Sequence, residues 1–178
     1  MSNSLITLRR PDASDGSALH ELIAACPPLD ANSRYCNLLQ CTHFSTTSVV
    51  AARGDDIVAA ISGYLVPGRE DTLFVWQVAV SESARGQGLG GRMISEILAR
   101  PECSGVRYLE TSVTASNDAS WAMFRGFARR TEAALEESEM FEQTRHFAGE
   151  LVRIGPMGKQ ARPETDPASP DVIKERMA

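Results

Sequence analysis

Apolar positions in this chain switch between two periods, and the clearest switch lies in residues 71–100, DTLFVWQVAVSESARGQGLGGRMISEILAR. Leu73, Val75 and Ala79 fall on one face of a strand and Phe74, Trp76, Val78 and Val80 on the other, with Gln77 as the polar interruption. A strand apolar on both faces is central and covered by helices. After the polar link 81–84 comes Arg85-Gly86-Gln87-Gly88-Leu89-Gly90-Gly91, and then Leu89, Met93, Ile94, Ile97 and Leu98 recur with helical spacing. The pattern predicts a strand, a glycine-rich turn and a helix.

Upstream, residues 5–8 predict a first strand ending near Pro11, and Leu19, Leu22, Ile23 and Cys26 form a helical stripe that Pro27-Pro28 terminates. Asp30 or Asn32 can cap a second helix carrying Tyr35, Leu38, Leu39 and Thr42, in which Tyr35 is expected half-buried. Residues 48–53 and 57–66 flank a Gly54-Asp55-Asp56 turn and predict a hairpin, so three antiparallel strands lead into the glycine turn. Downstream, 106–111 predicts a strand parallel to the central one, Asn117 opens a helix with Trp121, Phe124 and Arg125, a strand is expected near 139–142, and 151–154 is a last strand. Past Gly155 the chain turns polar and proline-rich. One domain over residues 1–156 is expected, with a flexible tail over 157–178.

Composition narrows the class. A chain of 178 residues with 43% hydrophobic residues suffices for one well-packed domain. A net charge of −5 with scattered basic residues argues against nucleic acid, and the absence of a long apolar run or signal-like N-terminus predicts a cytoplasmic protein with no membrane partner. Cys26, Cys36, Cys41 and Cys103 lack C-x-x-C spacing and the three histidines are dispersed, so no metal is expected and the thiols should be reduced and mostly buried.

The chemistry concentrates in the glycine turn. Glycine tolerates positive φ and close approach of a ligand, and the first amides of a helix lack internal partners. Together these suit phosphate. Gly86, Gly88 and Gly91 formally satisfy G-x-G-x-x-G, with Glu110 near the spacing of a ribose-binding acid, so an NAD-type oxidoreductase is one reading. Against it, residues 81–85 separate the strand from the glycines and about seventy residues precede the strand. Arg85-x-x-Gly88-x-Gly90 instead resembles motif A of the GNAT superfamily of acetyl-CoA-dependent N-acetyltransferases, and the predicted element order is that of the same family. The resemblance implies an α/β (α+β) fold with a mixed, mostly antiparallel central sheet flanked by helices. It also implies acetyl-CoA as cosubstrate, held by Val78, Ala79, Val80, Arg85, Gly86, Gln87, Gly88, Leu89 and Gly90, with Asn117 and Ser120 at the next helix.

Longer stretches, CPPLDANSRYCNLLQC, LFVWQVAV, ARGQGLGGRM, YLETSVTASNDASWAMFRG and LVRIGP, resemble the L-2,4-diaminobutyrate acetyltransferases of ectoine biosynthesis. That family implies a homodimer and a diamino acid acceptor, with Asp30, Tyr35, Trp76, Glu110 and Glu150 at the acceptor. Glu110 is then the candidate proton acceptor and Tyr35 the candidate proton donor, while backbone N–H groups at a splay or bulge after Gln77, near Val78, would face the thioester oxygen. The resemblance has two gaps. Phe124 stands where many GNAT enzymes carry a tyrosine, and Gly149-Glu150 runs straight into Leu151 without the family's His-Asp segment. Another small-amine acetyltransferase and a weakly active CoA-binding module are the competing readings.

Overall fold

The computed structural model describes residues 5–140 and 149–158. Its strands β1 (Ile6–Arg9), β2 (Val49–Arg53), β3 (Asp56–Val66), β4 (Arg69–Val80), β5 (Tyr108–Thr114), β6 (Leu135–Glu139) and β7 (Gly149–Ile154) form one sheet in the order β1-β2-β3-β4-β5-β7-β6. Among the described residues β4 and β5 run parallel, and the other neighbours are antiparallel. This is the mixed, mostly antiparallel sheet expected from the sequence. The parallel pair is joined by α3 (Leu89–Leu98), and the other α-helices among the described residues are α1 (Gly16–Ala24), α2 (Arg34–Thr42) and α4 (Asp118–Arg130). No described helix is long and apolar enough to cross a membrane.

Helices cover both faces. On one, Leu19, Leu22 and Ile23 of α1 pack on Val50, Ala60 and Ala79. On the other, Met93, Ile94 and Ile97 of α3 and Trp121, Phe124 and Phe127 of α4 pack on Leu73, Val75, Leu109, Val152 and Ile154. Each fully buried side chain of this size contributes roughly 1.5–3 kcal/mol.

A β-bulge in β4 decides which residues reach which face. Ser62 of β3 pairs with Gln77 but Gly63 pairs with Val75, so Trp76 is an extra residue. The alternation therefore reverses: Val78 and Val80 join Leu73 and Val75 on the α3 and α4 side, and Ala79 turns toward α1. This corrects the strand faces read from the sequence, which assumed an unbroken period of two, and it sets the bulge at Trp76, before Gln77. A Cβ on Gly63 would lie 2.8 Å from the Phe74 carbonyl oxygen, so the strand facing the bulge needs glycine.

Other elements shift for local reasons. Ser33, and neither Asp30 nor Asn32, caps α2, its hydroxyl accepting from the Cys36 N–H at 3.1 Å. The buried stripe of α2 is Asn37, Gln40 and Cys41, leaving Tyr35 69% exposed and not half-buried. Asn37 Nδ2 donates to Gln40 Oε1 at 2.9 Å and Asn37 Oδ1 lies 3.0 Å from His20 Nδ1, so Asn37 takes a core position with partners at both ends of its amide, while Gln40 Nε2 has none among the described residues. The strand expected near 139–142 lies earlier, at Leu135–Glu139, and has ended by Met140; residues 141 and 142 lie outside the described residues. Met157 is buried in the α3 and α4 core and its N–H donates to the Arg107 carbonyl at 2.8 Å; of the expected tail, residues 159–178 lie outside the described residues. Cys26, Cys41 and Cys103 are buried, Cys36 is partly exposed, and all four are free thiols.

Candidate active site

The link from β4 to α3 begins with a single 3-10 turn (Glu82–Ala84), after which Gly86 and Gly88 adopt φ of 75° and 67°. Positive φ at these two positions excludes a β-branched residue without strain. Gly88 is the N-cap of α3, has no side chain to offer the helix, and its carbonyl accepts from the Arg92 N–H at 3.2 Å. Among the described residues no acceptor meets the N–H groups of residues 86–91. A run of open amides at the positive end of a helix dipole attracts an anion. Gly90 and Gly91 serve a different end: a Cβ would collide with Met123 Sδ at the first and the Arg130 guanidinium at the second, so these glycines let α4 lie close on α3.

Beneath this loop the sheet opens. The register of β4 with β5 ends at Val75 and Thr111, where the Thr111 hydroxyl donates to the Val75 carbonyl at 2.9 Å. Beyond it β4 continues against β3 and β5 against β7. A cavity of about 410 Å³ lies at the mouth of the parting, walled by Val78 and Val80 and roofed by Arg85, Gly86, Gly88, Leu89 and Gly90. Asn117, Ser120 and Met123 close the α4 side. Asn117 is held there as the helix cap, its Oδ1 accepting from the Ser120 N–H at 3.1 Å. Arg85 fastens the loop to the strand end through Nε and the Val80 carbonyl at 3.2 Å.

Two residues proposed for cofactor contact from the sequence do not line this cavity. Ala79 is turned to the other face by the bulge, and Gln87 is exposed. The fourth wall, Cys26 to Leu29, is one that sequence reasoning did not assign to the site. Pro27-Pro28 signalled a stiff elbow, but which strand end it covers depends on long-range packing. A larger, more open depression of about 640 Å³ runs outside α3 past Arg92 and Arg130. The parted strands and the cap of α4 converge on the smaller one.

The proposed acceptor residues divide between the faces. Glu110 is 3% exposed and faces Phe74, one pair before the strands part; Arg69 Nη1 and Nη2 donate to its two oxygens at 2.8 and 3.0 Å. Arg153 Nη1 stands 3.5 Å from Oε1, its guanidinium 4.1 Å from the Tyr108 ring centroid. Glu110 raises the Arg69 pKa, chiefly through its hydrogen bond. Glu110 is thus buried and paired, not the exposed strand-end acid that is the plain alternative for such a position. Trp76 is 38% exposed, edge-on to Tyr64 at 6.4 Å, and Tyr64 stacks on Phe74 at 5.3 Å. Asp30 is exposed, its carbonyl accepting from Gln77 Nε2 at 2.9 Å. Glu150 lies opposite Val113 and alternates with Leu151 to share a face with Val152 and Ile154, the α3 and α4 side, away from Glu110. Phe124 is buried in the core and offers no hydroxyl.

Open amides at a helix start, beside two strands that part, suit a diphosphate carrying a long extended arm: the geometry of a CoA-dependent acyltransferase. The chain belongs to the acetyltransferase (GNAT) family, whose sequence model matches residues 17–127. It is 52% identical to the L-2,4-diaminobutyric acid acetyltransferase of Methylotuvimicrobium alcaliphilum over 85% of this chain and 91% of that protein. It is 44% identical to the protein of the same name from Halomonas elongata, over 86% and 82%. Among solved structures, the diaminobutyrate acetyltransferase EctA from Paenibacillus lautus, in complex with its substrate L-2,4-diaminobutyric acid and coenzyme A, superposes with a TM-score of 0.82 at 38% identity, over 89% of this chain and 99% of that one. The oxidoreductase reading falls with the sheet, since a dinucleotide fold requires several adjacent parallel strands and this one has a single parallel pair among the described residues.

Proposed function

We propose that this chain transfers the acetyl group of acetyl-CoA to the γ-amino group of L-2,4-diaminobutyrate, giving N4-acetyl-L-2,4-diaminobutyrate for ectoine synthesis. The observation that carries this is the open amides of Gly86, Gly88, Leu89 and Gly90 at the 410 Å³ cavity, in a chain 52% identical to a named diaminobutyrate acetyltransferase. The amides bind the diphosphate of the cofactor, and its arm runs along Val78 and Val80 into the parting between β4 and β5. Asn117 and Ser120 flank the arm from α4.

The acceptor approaches from the face bearing Trp76, Asp30, Tyr35 and Glu110. An alkyl amine with a pKa near 10 is about one part in a thousand free base at pH 7, a cost of ~4 kcal/mol to the reaction. Glu110, acting through water, takes that proton and attracts the cation beforehand. The free amine attacks the thioester carbon; the C–N bond forms, the C–S bond breaks, and the thiolate of coenzyme A leaves. Charge on the tetrahedral oxygen is met by the Val78 N–H, an effect worth about 3 kcal/mol where the donor is preorganised. Tyr35 or water returns a proton to the thiolate, since Phe124 cannot. Glu150 faces the α3 and α4 side and has no part in this acceptor face. The chain works as a cytoplasmic homodimer of single-domain subunits.

Incubation of the protein with acetyl-CoA and L-2,4-diaminobutyrate releases free coenzyme A and yields a product acetylated at the γ nitrogen, resolved from the α isomer by NMR. Turnover of another amine in place of diaminobutyrate reassigns the acceptor, and cofactor binding without any turnover leaves a CoA-binding module.

A further inference from the structure

We infer that Gln77 is a positioning residue that fastens residues 30–32 beside Trp76 and so shapes the acceptor side of the site without shaping the cofactor side. This rests on the function proposed above. Gln77 is the polar residue in the otherwise apolar run from Leu73 to Val80, and in an unbroken strand it would share a face with Leu73 and Val75, inside the core. The bulge at Trp76 prevents that. With one extra residue ahead of it, Gln77 leaves the core face and emerges beside Trp76 on the side of α1 and α2.

There its amide is used in both senses. Oε1 accepts from Asn32 Nδ2 at 2.7 Å and Nε2 donates to the Asp30 carbonyl at 2.9 Å. Both bonds go to one short stretch, and among the described residues no other hydrogen bond ties residues 30–32 to the sheet. The preceding half of the elbow has separate anchors. Cys26 N–H donates to the Ile23 carbonyl and Leu29 N–H to the Cys26 carbonyl, each at 3.0 Å, while Cys26 Sγ donates to the Val80 carbonyl at 3.5 Å. That anchored half lines the cofactor cavity, and the half that depends on Gln77 carries Asp30. Loss of the amide therefore loosens the acceptor wall and leaves the cofactor wall standing.

Gln77→Met keeps the volume and removes both bonds; Asn32→Ala removes one from the loop side and leaves the core untouched. Each variant is expected to raise KM for diaminobutyrate by about five- to tenfold with KM for acetyl-CoA within about twofold, as the loss of one or two modest hydrogen bonds implies. The double variant is expected to be no worse than Gln77→Met alone, because the two residues act as one latch. Backbone 15N order parameters give a readout independent of turnover: those of residues 30–33 fall from about 0.85 toward about 0.6 in Gln77→Met, while those of Cys26 and Leu29 hold. An acceptor KM unchanged in both single variants, both Michaelis constants rising together, multiplying effects, or unchanged order parameters at 30–33 overturns the inference. Should Gln77→Met fail to fold, Asn32→Ala decides by the same criteria. If the unaltered protein does not acetylate diaminobutyrate, the functional reading fails and the order parameters still judge the latch.

Discussion

Arg69 reaches from the start of β4 to Glu110 on β5 and donates from both terminal nitrogens to the two carboxylate oxygens, at 2.8 and 3.0 Å. The two are unequal: the glutamate side chain is 4% exposed and the arginine 47%. Solvent screens the arginine and weakens the pair. The carboxylate has no such relief, and with Arg69 gone its nearest cation is Arg153 at 3.5 Å.

Removal of one partner is accordingly worse than removal of both. Arg69→Met is expected to lose about 1–3 kcal/mol in urea unfolding, the cost of a buried acceptor left unmade, and Arg69→Met/Glu110→Gln less than that. Equal losses would mean that Arg153 already satisfies the carboxylate.

Glu110→Gln separates chemistry from packing. The amide keeps the shape but cannot take a proton, so kcat at saturating substrates should fall by about 10²-fold or more, with KM for acetyl-CoA within about twofold. Full kcat in a variant that melts normally removes Glu110 from the proton path.

The glycines of the loop should fail in different ways. Gly88→Val forces a β-branched residue to a φ of 67° in otherwise open space, costing roughly 1–2 kcal/mol, and raises KM for acetyl-CoA by about tenfold or more as the amides shift. Gly90→Ala meets Met123 instead, so the expected loss is in melting temperature through the α3 and α4 contact. Calorimetry alongside acetyl-CoA titration distinguishes them.

Asp15 makes acid stability testable. The hydrogen bond from Arg9 at 2.7 Å holds its carboxyl below the usual range, against the opposing pull of burial. A depressed folded value contributes stability above the ordinary carboxylate pKa, and that contribution is lost as pH falls through the lowered one. Asp15→Asn should be less stable than the parent by about 1 kcal/mol at pH 7, after allowing for the 43% exposed Arg9 side chain, with the gap closing between about pH 5 and pH 3.

Thiol labelling has a predictable order. Burial pushes the Cys41 thiol up to about 11 and raises Cys103 as well, and Cys41 and Cys103 are both buried, so neither reacts in the folded protein at pH 8. Cys36, partly exposed, should label first and the others on unfolding, as peptide mapping would show. Coenzyme A release measured with a thiol reagent needs that background subtracted.

Legibility followed the range of the cause. The strand, turn and helix around the glycines and the cap at Asn117 are set within a few residues, so periodicity and residue type reveal them. The bulge at Trp76 depends on how β3 pairs across it, with Gly63 as its distant partner, and one misplaced residue there inverted the assignment of Val78, Ala79 and Val80. The buried face of α2 is not legible in the pattern because Asn37 and Gln40 count as polar until their mutual hydrogen bond is known. Arg69 left no local trace at all, lying 41 residues from Glu110. Leu135–Glu139 is an outer strand with Glu136, Glu137 and Glu139 exposed, so it lacks the apolar alternation that marks a buried one.

Where β4 leaves β5 after Val75, one flank of its backbone has no strand beside it among the described residues, although β4 stands in the middle of the sheet. It is an edge turned inward. Exposed edges ordinarily recruit stray peptide segments and lead to aggregation. This one is flanked by the elbow, the glycine loop and α4, and a guest whose amides are spaced like those of a polypeptide matches it better than a plain hydrocarbon thiol ester would.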